Sequence, residues 1–160
     1  MKSFAVVAAA ALGLASAPVH AEEPDDASPA MQADGHARML VAGLLGEQEV
    51  PTPGDPDGRG QFMAWPDADG QLCYKLMVNS IDAPVAAHIH AGAAGTAGGV
   101  TVALEAPADG KSEGCAAIDA DAMNAIWADP SAFYVNVHNA EFPKGALRGQ
   151  LMAHPMDHAK

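Results

Sequence analysis

The chain has 160 residues, of which 49% are hydrophobic, and its formal net charge is −12 at pH 7. This length suits one compact domain with short flanking segments. An acidic chain of this kind repels phosphate groups, so we do not expect it to bind nucleic acid or anionic membrane surfaces.

Residues 1–21 have the features of a secretory signal peptide. Lys2 precedes an apolar, alanine-rich run from Phe4 to Leu14 that is too short to span a bilayer. Val19-His20-Ala21 then matches the small-x-small cleavage pattern, and Ala15-Ser16-Ala17 is an alternative cut. No later segment is apolar enough to cross a membrane. The sequence therefore predicts a periplasmic or secreted protein without membrane insertion.

Three further segments follow the signal. Residues 22–36 are rich in Pro, Asp and Ala without apolar periodicity, which predicts a disordered leader. Residues 37–154 are predicted to form the folded domain, which has no internal repeat. Residues 155–160 are predicted to be a flexible tail.

About seven runs of β-forming residues with turn signals between them predict the strands. They are ARMLVAGLLG, QFMAW, LCYKLMVN, VAAHIH, GVTVAL, FYVNVHN and GALRGQLMA. The second and third are expected to form a hairpin through PDADGQ, and the last two a hairpin through AEFPK.

One segment has helical periodicity. IDADAMNAIWAD places Ala122, Met123, Ile126 and Trp127 on one side, with Asp119 or Asp121 as N-cap and Pro130 beyond its end. Many short strands and a single short helix predict an all-β, antiparallel sandwich or barrel.

The chain contains two cysteines, Cys73 and Cys115. They match no zinc-ribbon or C-x-x-C spacing, and in an exported protein an isolated pair most often forms one disulfide. Thiolate metal ligation is the alternative, but no neighbouring residue completes such a site.

Histidines recur on predicted strands. Side chains alternate along a strand, so His88 and His90 share one face. The same rule puts His138 beside Tyr134 and Asn136, with Phe133, Val135 and Val137 facing the core. A third polar face contains Arg148, Gln150, Met152 and His154.

Three imidazoles from two strands can converge on one metal ion, which predicts a site made of His88, His90 and His138. The fourth ligand is left open between His154, His36 and water, and a hydrogen-bonded surface role is the alternative for any single histidine. The run of Gly and Ala after His90 is expected to leave the outer side of the metal open.

Copper is the expected metal, and zinc is less favoured, because imidazole suits both ions but Cu²⁺ binds more tightly in the Irving–Williams order. Methionines and histidines also flank the domain, and thioether with imidazole suits Cu(I). These residues are Met31, Met39, Met152, Met156, His36, His154 and His158. An ordinary frayed tail is the alternative for Met156 and His158.

The blocks LLGEQEVP, AAHIHAG, GTAGGV and YVNVHNAEFPKGALRGQL resemble the CHRD domain, a module named after chordin and found in exported bacterial proteins. The resemblance covers Met39 to Met152. It implies a Greek-key or immunoglobulin-like sandwich, with His88, His90, His138 and Arg148 at recurring motif positions. Ala146 stands where an acidic residue is expected, so any role of that acid is absent here.

The arrangement of roles is also loosely similar to that of copper-only superoxide dismutases. This similarity implies a copper-dependent oxidoreductase that converts two superoxide ions and two protons into O₂ and H₂O₂. Arg148 would be the catalytic residue that holds the anion, and the alternative for it is a salt bridge to Glu47, Glu49 or Glu141. The acidic net charge opposes the steering of superoxide.

A non-catalytic role is the alternative function. It would be copper storage or delivery with a donor or acceptor protein, or protein binding in the periplasm. The sequence does not decide between these functions or give the oligomeric state.

Overall fold

The computed structural model describes residues 38–155, which form nine strands and one α-helix. The strands are β1 (Arg38–Leu45), β2 (Arg59–Pro66), β3 (Leu72–Asn79), β4 (Pro84–Ala91), β5 (Val100–Leu104), β6 (Lys111–Ala116), β7 (Phe133–Asn139), β8 (Leu147–Gln150) and β9 (Met152–Pro155). The helix, α1 (Ala120–Ala128), lies between β6 and β7, and two short 3₁₀ helices cover Gly46–Gln48 and Pro130–Ala132.

All strand pairs are antiparallel, in the order β5-β4-β7-β8-β1-β2-β3-β6, and β9 also pairs with β1. The two edge strands, β5 and β6, are consecutive in the chain. The Ser112 hydroxyl on β6 donates to the Glu105 carbonyl just after β5, at 2.8 Å. The sheet therefore curls into a nearly closed barrel or sandwich, which confirms the predicted all-β class.

The core lies inside this curled sheet because alternate residues of each strand point inward. On β1, Leu40 and Leu44 are fully buried. The helix covers part of the core with Met123, Ile126 and Trp127. Its N-cap is Asp119, whose carboxylate accepts the Ala122 N–H at 2.8 Å, as one of the two alternatives predicted.

Two differences from the predicted elements raise the strand number from about seven to nine. The first is β6, whose sequence KSEGCA is mostly exposed and carries no apolar alternation. The second is a division of GALRGQLMA at the buried Leu151: β8 continues the pairing with β7, whereas β9 pairs only with β1. This second ladder runs from Arg38 opposite Pro155 to Val41 opposite Met152.

The predicted disulfide is confirmed. Cys73 on β3 and Cys115 on β6 are directly opposite each other, and they are bonded. The alternative of thiolate metal ligation is therefore wrong, because both sulfurs are used.

The predicted signal peptide, leader and most of the tail lie outside the described residues, as do His36, His158, Met31 and Met156. Among the residues that are described, no helix has the length and apolar character needed to cross a membrane.

Candidate metal centre

Three histidine side chains meet on the outward face of two neighbouring strands. His88 and His90 lie on β4, where Ala87 and Ile89 between and beside them are fully buried. His138 lies on the adjacent strand β7, opposite Ala86 and therefore diagonal to His88. The pairing of β4 with β7 brings together residues that are 50 positions apart in the chain.

The three imidazoles are close enough to share one ion. His88 Nδ1 lies 3.4 Å from His138 Nε2, and one potential ligand nitrogen from each ring lies within 4.8 Å of the other two. The rings of His88 and His90 are nearly perpendicular, at 87°, with centroids 5.4 Å apart. The cluster could hold a metal ion.

Backbone carbonyls fix the orientation of two of these rings. His138 Nδ1 lies 3.2 Å from the Pro143 carbonyl, and His90 Nδ1 lies 3.1 Å from the Gly98 carbonyl. Because a carbonyl only accepts, each Nδ1 carries the hydrogen and each Nε2 keeps a free lone pair. Second-sphere hydrogen bonds of this kind orient most metal-binding histidines.

The distance between the ring nitrogens of His88 and His138 fits a metal ion of the first transition row. Two imidazole nitrogens that each lie about 2.0–2.1 Å from a tetrahedral ion are roughly 3.3–3.4 Å apart. The observed separation of His88 Nδ1 and His138 Nε2 is 3.4 Å, which also suits a hydrogen bond donated by His88. The His90 Nε2 atom supports the interpretation as a metal site, because among the described residues this buried nitrogen has no hydrogen-bond partner.

The surroundings keep the three rings neutral. Burial lowers the pKa of His88, His90 and His138 below the usual histidine value. A nearby positive charge lowers each pKa further: that of Arg148 acts on His90, and the charge that either His90 or His88 would carry when protonated acts on His88 and on His138, respectively. Neutral imidazoles are the form that binds metal.

A family comparison bears on this arrangement. A family model of the CHRD domain matches residues 40–151. The chain belongs to the CHRD domain family. The match confirms the resemblance inferred from the sequence blocks and includes all three histidines and Arg148. No curated protein and no solved structure matches the chain.

In this CHRD domain Arg148 is buried beside the cluster, with 1% of its surface exposed. Its Nη2 donates to the carbonyls of Ala93 and Thr96, each at 2.9 Å. The guanidinium carbon lies 3.5 Å from the centre of the Tyr134 ring, and Tyr134 also stacks on His90 at 4.9 Å. In this structure Arg148 therefore fixes the loop and the Tyr134 ring beside the histidine cluster, and its Nη2 already donates both of its hydrogens.

The predicted alternative for Arg148, a salt bridge, is not formed either. Within the part of the chain that is described, Arg148 has no carboxylate of Glu47, Glu49 or Glu141 within the 4.0 Å of an ion pair. Its positive charge still acts on the buried Glu49 over a longer distance.

The run of Gly and Ala after β4 folds back over Tyr134 and Arg148, and Gly98 N–H donates to the Tyr134 hydroxyl at 3.2 Å. A Cβ atom at Gly98 would lie 1.5 Å from the Ala91 carbonyl oxygen, so only glycine fits this close approach.

A buried pair next to the histidines was not predicted. Glu49 is 7% exposed and Asn136 is 2% exposed, and the Asn136 amide donates to the Glu49 carboxylate. Burial raises the pKa of Glu49 to about 7, although Arg148 and hydrogen bonds from Val50 N–H and Asn136 lower it. Glu49 lies in the LLGEQEVP block that resembles the CHRD family, and this was the sequence feature that could have identified Glu49 as a candidate.

His154, one of the candidates for the fourth ligand, is not brought to the cluster. It lies on β9 opposite Met39 and is exposed, and the group of converging ligand atoms in the described region contains only the other three histidines. β9 pairs with β1 and not with β7, so His154 lies away from the histidine cluster although the alternation predicted that it shares a face with Arg148.

Proposed function

We propose that this CHRD domain belongs to an exported protein that binds one copper ion through His88, His90 and His138. The observation that carries the proposal is the convergence of three neutral imidazoles, two of them oriented by carbonyls. Export is supported by the signal-like residues 1–21 and by the disulfide, since disulfides persist in oxidising compartments.

Copper is preferred to zinc on the chemistry of the ligands. A set of uncharged imidazoles binds both ions, and in the Irving–Williams order copper(II) binds more tightly than zinc. The rings carry no charge, so the site gives no added electrostatic preference for a harder ion.

The best-supported role is to hold copper for storage or delivery to a partner protein. Arg148 is covered by the Gly92–Gly99 loop, and the net charge of −12 repels small anions from the surface. The histidines themselves are only half-buried, so a protein partner that donates or accepts copper can reach them.

Superoxide dismutation is the second candidate, and the partial exposure of all three imidazoles favours it. Copper, when bound, supplies the one-electron chemistry that turns two superoxide ions and two protons into O₂ and H₂O₂. Three protein ligands leave room for a small molecule on the ion. Arg148 would not touch the substrate, because its guanidinium is stacked on Tyr134, which in turn stacks on His90. It would attract the anion by its charge alone.

Metal analysis tests the proposal. The purified chain is offered equal copper(II) and zinc, dialysed and analysed for metal, together with His90→Ala and the surface control Arg59→Ala. We expect one copper per wild-type chain, little in His90→Ala and an unchanged content in Arg59→Ala. Stoichiometric copper in His90→Ala, or zinc in place of copper in the wild type, would contradict it.

A superoxide assay separates the two roles. Copper-loaded protein is compared with the same amount of copper held by a small chelator. Removal of superoxide well above the chelate, and lost in His90→Ala, supports the dismutase. Removal no faster than the chelate leaves storage or delivery as the function.

A further inference from the structure

The outward face of β1 and β9 carries sulfur ligands that the histidine centre does not use. We call the three side chains of Met39, Met152 and His154 the methionine face. Met39 points outward because its neighbour Leu40 is buried in the core, and strand register places Met152 and His154 on the same face.

Strand register brings these three residues together. Met39 is directly opposite His154, and Val41 is directly opposite Met152. Opposed side chains of an antiparallel pair have Cβ atoms about 4.5–5.5 Å apart, and diagonal neighbours about 7–8 Å apart. Met39 therefore has His154 opposite it and Met152 as a diagonal neighbour.

These side chains are open to solvent to different degrees. Met152 is 57% exposed, Met39 is half-buried, and His154 is exposed. Within the described part of the chain, His154 makes no hydrogen bond or ion pair. The methionine side chain is unbranched and flexible, so the two thioethers can turn toward the His154 imidazole above the sheet.

We propose that the methionine face is a second metal site, selective for monovalent copper, with two thioethers and the His154 imidazole as ligands. Thioether sulfur is a soft, uncharged ligand that selects Cu(I) over zinc and over harder ions. The ion keeps its oxidation state on binding, so no oxidant or reductant is needed. The site does not depend on the histidine centre, which lies on β4 and β7, on the other side of β8 in the sheet.

Methyl NMR tests the site directly. The full chain is labelled with ¹³C at the methionine methyl groups and titrated with silver(I), which has the charge and softness of Cu(I) but does not change oxidation state. We expect the methyl signals of Met39 and Met152 to shift together up to one equivalent. The signals of the exposed Met77 on β3 and the buried Met123 should not move.

Matched variants give the affinity. Cu(I) is distributed between the protein and a chromophoric chelator under anaerobic conditions, in a His90→Ala background that weakens the histidine centre. Met39→Leu with Met152→Leu keeps the side-chain volume nearly constant and should weaken binding at least tenfold. Met77→Leu, on the same sheet but opposite Gln61, should leave the affinity unchanged.

Several results would overturn the second site. They are methyl shifts that appear only well beyond one equivalent, a loss in Met77→Leu equal to that in the double variant, or binding that survives in the double variant. Because the background already lacks His90, failure here says nothing against the histidine centre, and failure of that centre leaves this test intact.

Discussion

Arg148 and Tyr134 form a stacked pair, with the guanidinium carbon 3.5 Å from the centre of the ring. His90 stacks on the same ring with an interplanar angle of 7°. The loop from Gly92 to Gly99 is bonded to both members, through its carbonyls to Arg148 and through Gly98 N–H to Tyr134. One buried cation thus connects the glycine-rich loop to a ring of the histidine cluster.

Replacing Arg148 should therefore loosen the loop. Arg148→Ala removes two hydrogen bonds from a charged donor, so we expect the free energy of unfolding to fall by about 2–4 kcal/mol. Arg148→Lys keeps the charge but loses the planar stacking and should recover only part of it. Urea denaturation measures the stability, and hydrogen exchange of the Gly98 amide measures the loop.

The control is Arg59→Ala, since the exposed Arg59 also donates to loop carbonyls, those of Pro56 and Gly58. Its effect should stay within about 0.5 kcal/mol. Equal losses in the Arg59 and Arg148 variants would show that burial and stacking of Arg148 contribute nothing.

Glu49→Gln should change stability in a pH-dependent way. The pKa of Glu49 is raised to about 7 in the folded chain, so this group contributes stability below its ordinary value of 4.5 and loses it as the pH rises through 7. Gln does not titrate. The free energy of unfolding of the variant, relative to that of the wild type, should therefore increase from pH 5 to pH 8, as measured by urea denaturation at each pH. A constant difference across this range would contradict burial of an ionisable Glu49.

Copper binding should persist into mildly acidic solution. Protons compete with the metal for imidazole nitrogen, and the pKa values of His88, His90 and His138 are all lowered. The apparent affinity should thus stay constant down to about pH 6.5, the ordinary histidine pKa, and decrease only below it. Competition with a chelator of known pH dependence measures this. A decrease that begins above pH 7 would mean that the rings are not shielded.

Removing the disulfide should destabilise the fold without emptying the metal site. Cys73→Ser with Cys115→Ser releases a link across 42 positions, which is worth about 4 kcal/mol. The disulfide joins β3 and β6, and none of the three histidines lies on either strand. Thermal unfolding and copper content are measured on the same sample, and loss of copper from folded variant protein would contradict the separation.

Alternation of side chains was sufficient to predict much of the site. It placed His88 with His90, and His138 with Tyr134 and Asn136, and these pairs do share the outward face. It could not show that Tyr134 and Asn136 are buried on that face, because they are covered by loops from elsewhere in the chain. Glu49 meets Asn136 across 87 residues, a distance at which local pattern carries no information.

His154, one candidate for the fourth ligand, shows a second reason why prediction fails. The sequence predicts one continuous strand for Arg148 and His154, but the strand is interrupted at Leu151, and β9 beyond it pairs with β1 and no longer with β7. Likewise β6 escaped prediction because an exposed edge strand needs no apolar face. Pairing partners depend on the whole sheet, and a single strand sequence does not specify them.

The opposition of Arg38 and Pro155 at the end of the β1–β9 ladder means that the chain enters and leaves the domain at one point. A unit with adjacent ends can be inserted into a surface loop of another protein, because the host loop need not stretch to accommodate it. The same geometry permits circular permutation, in which a short linker joins the old ends and new ones are opened in an exposed turn such as Asp67–Gly70. The architecture is therefore that of a portable module, transferable between chains without rearrangement of its sheet.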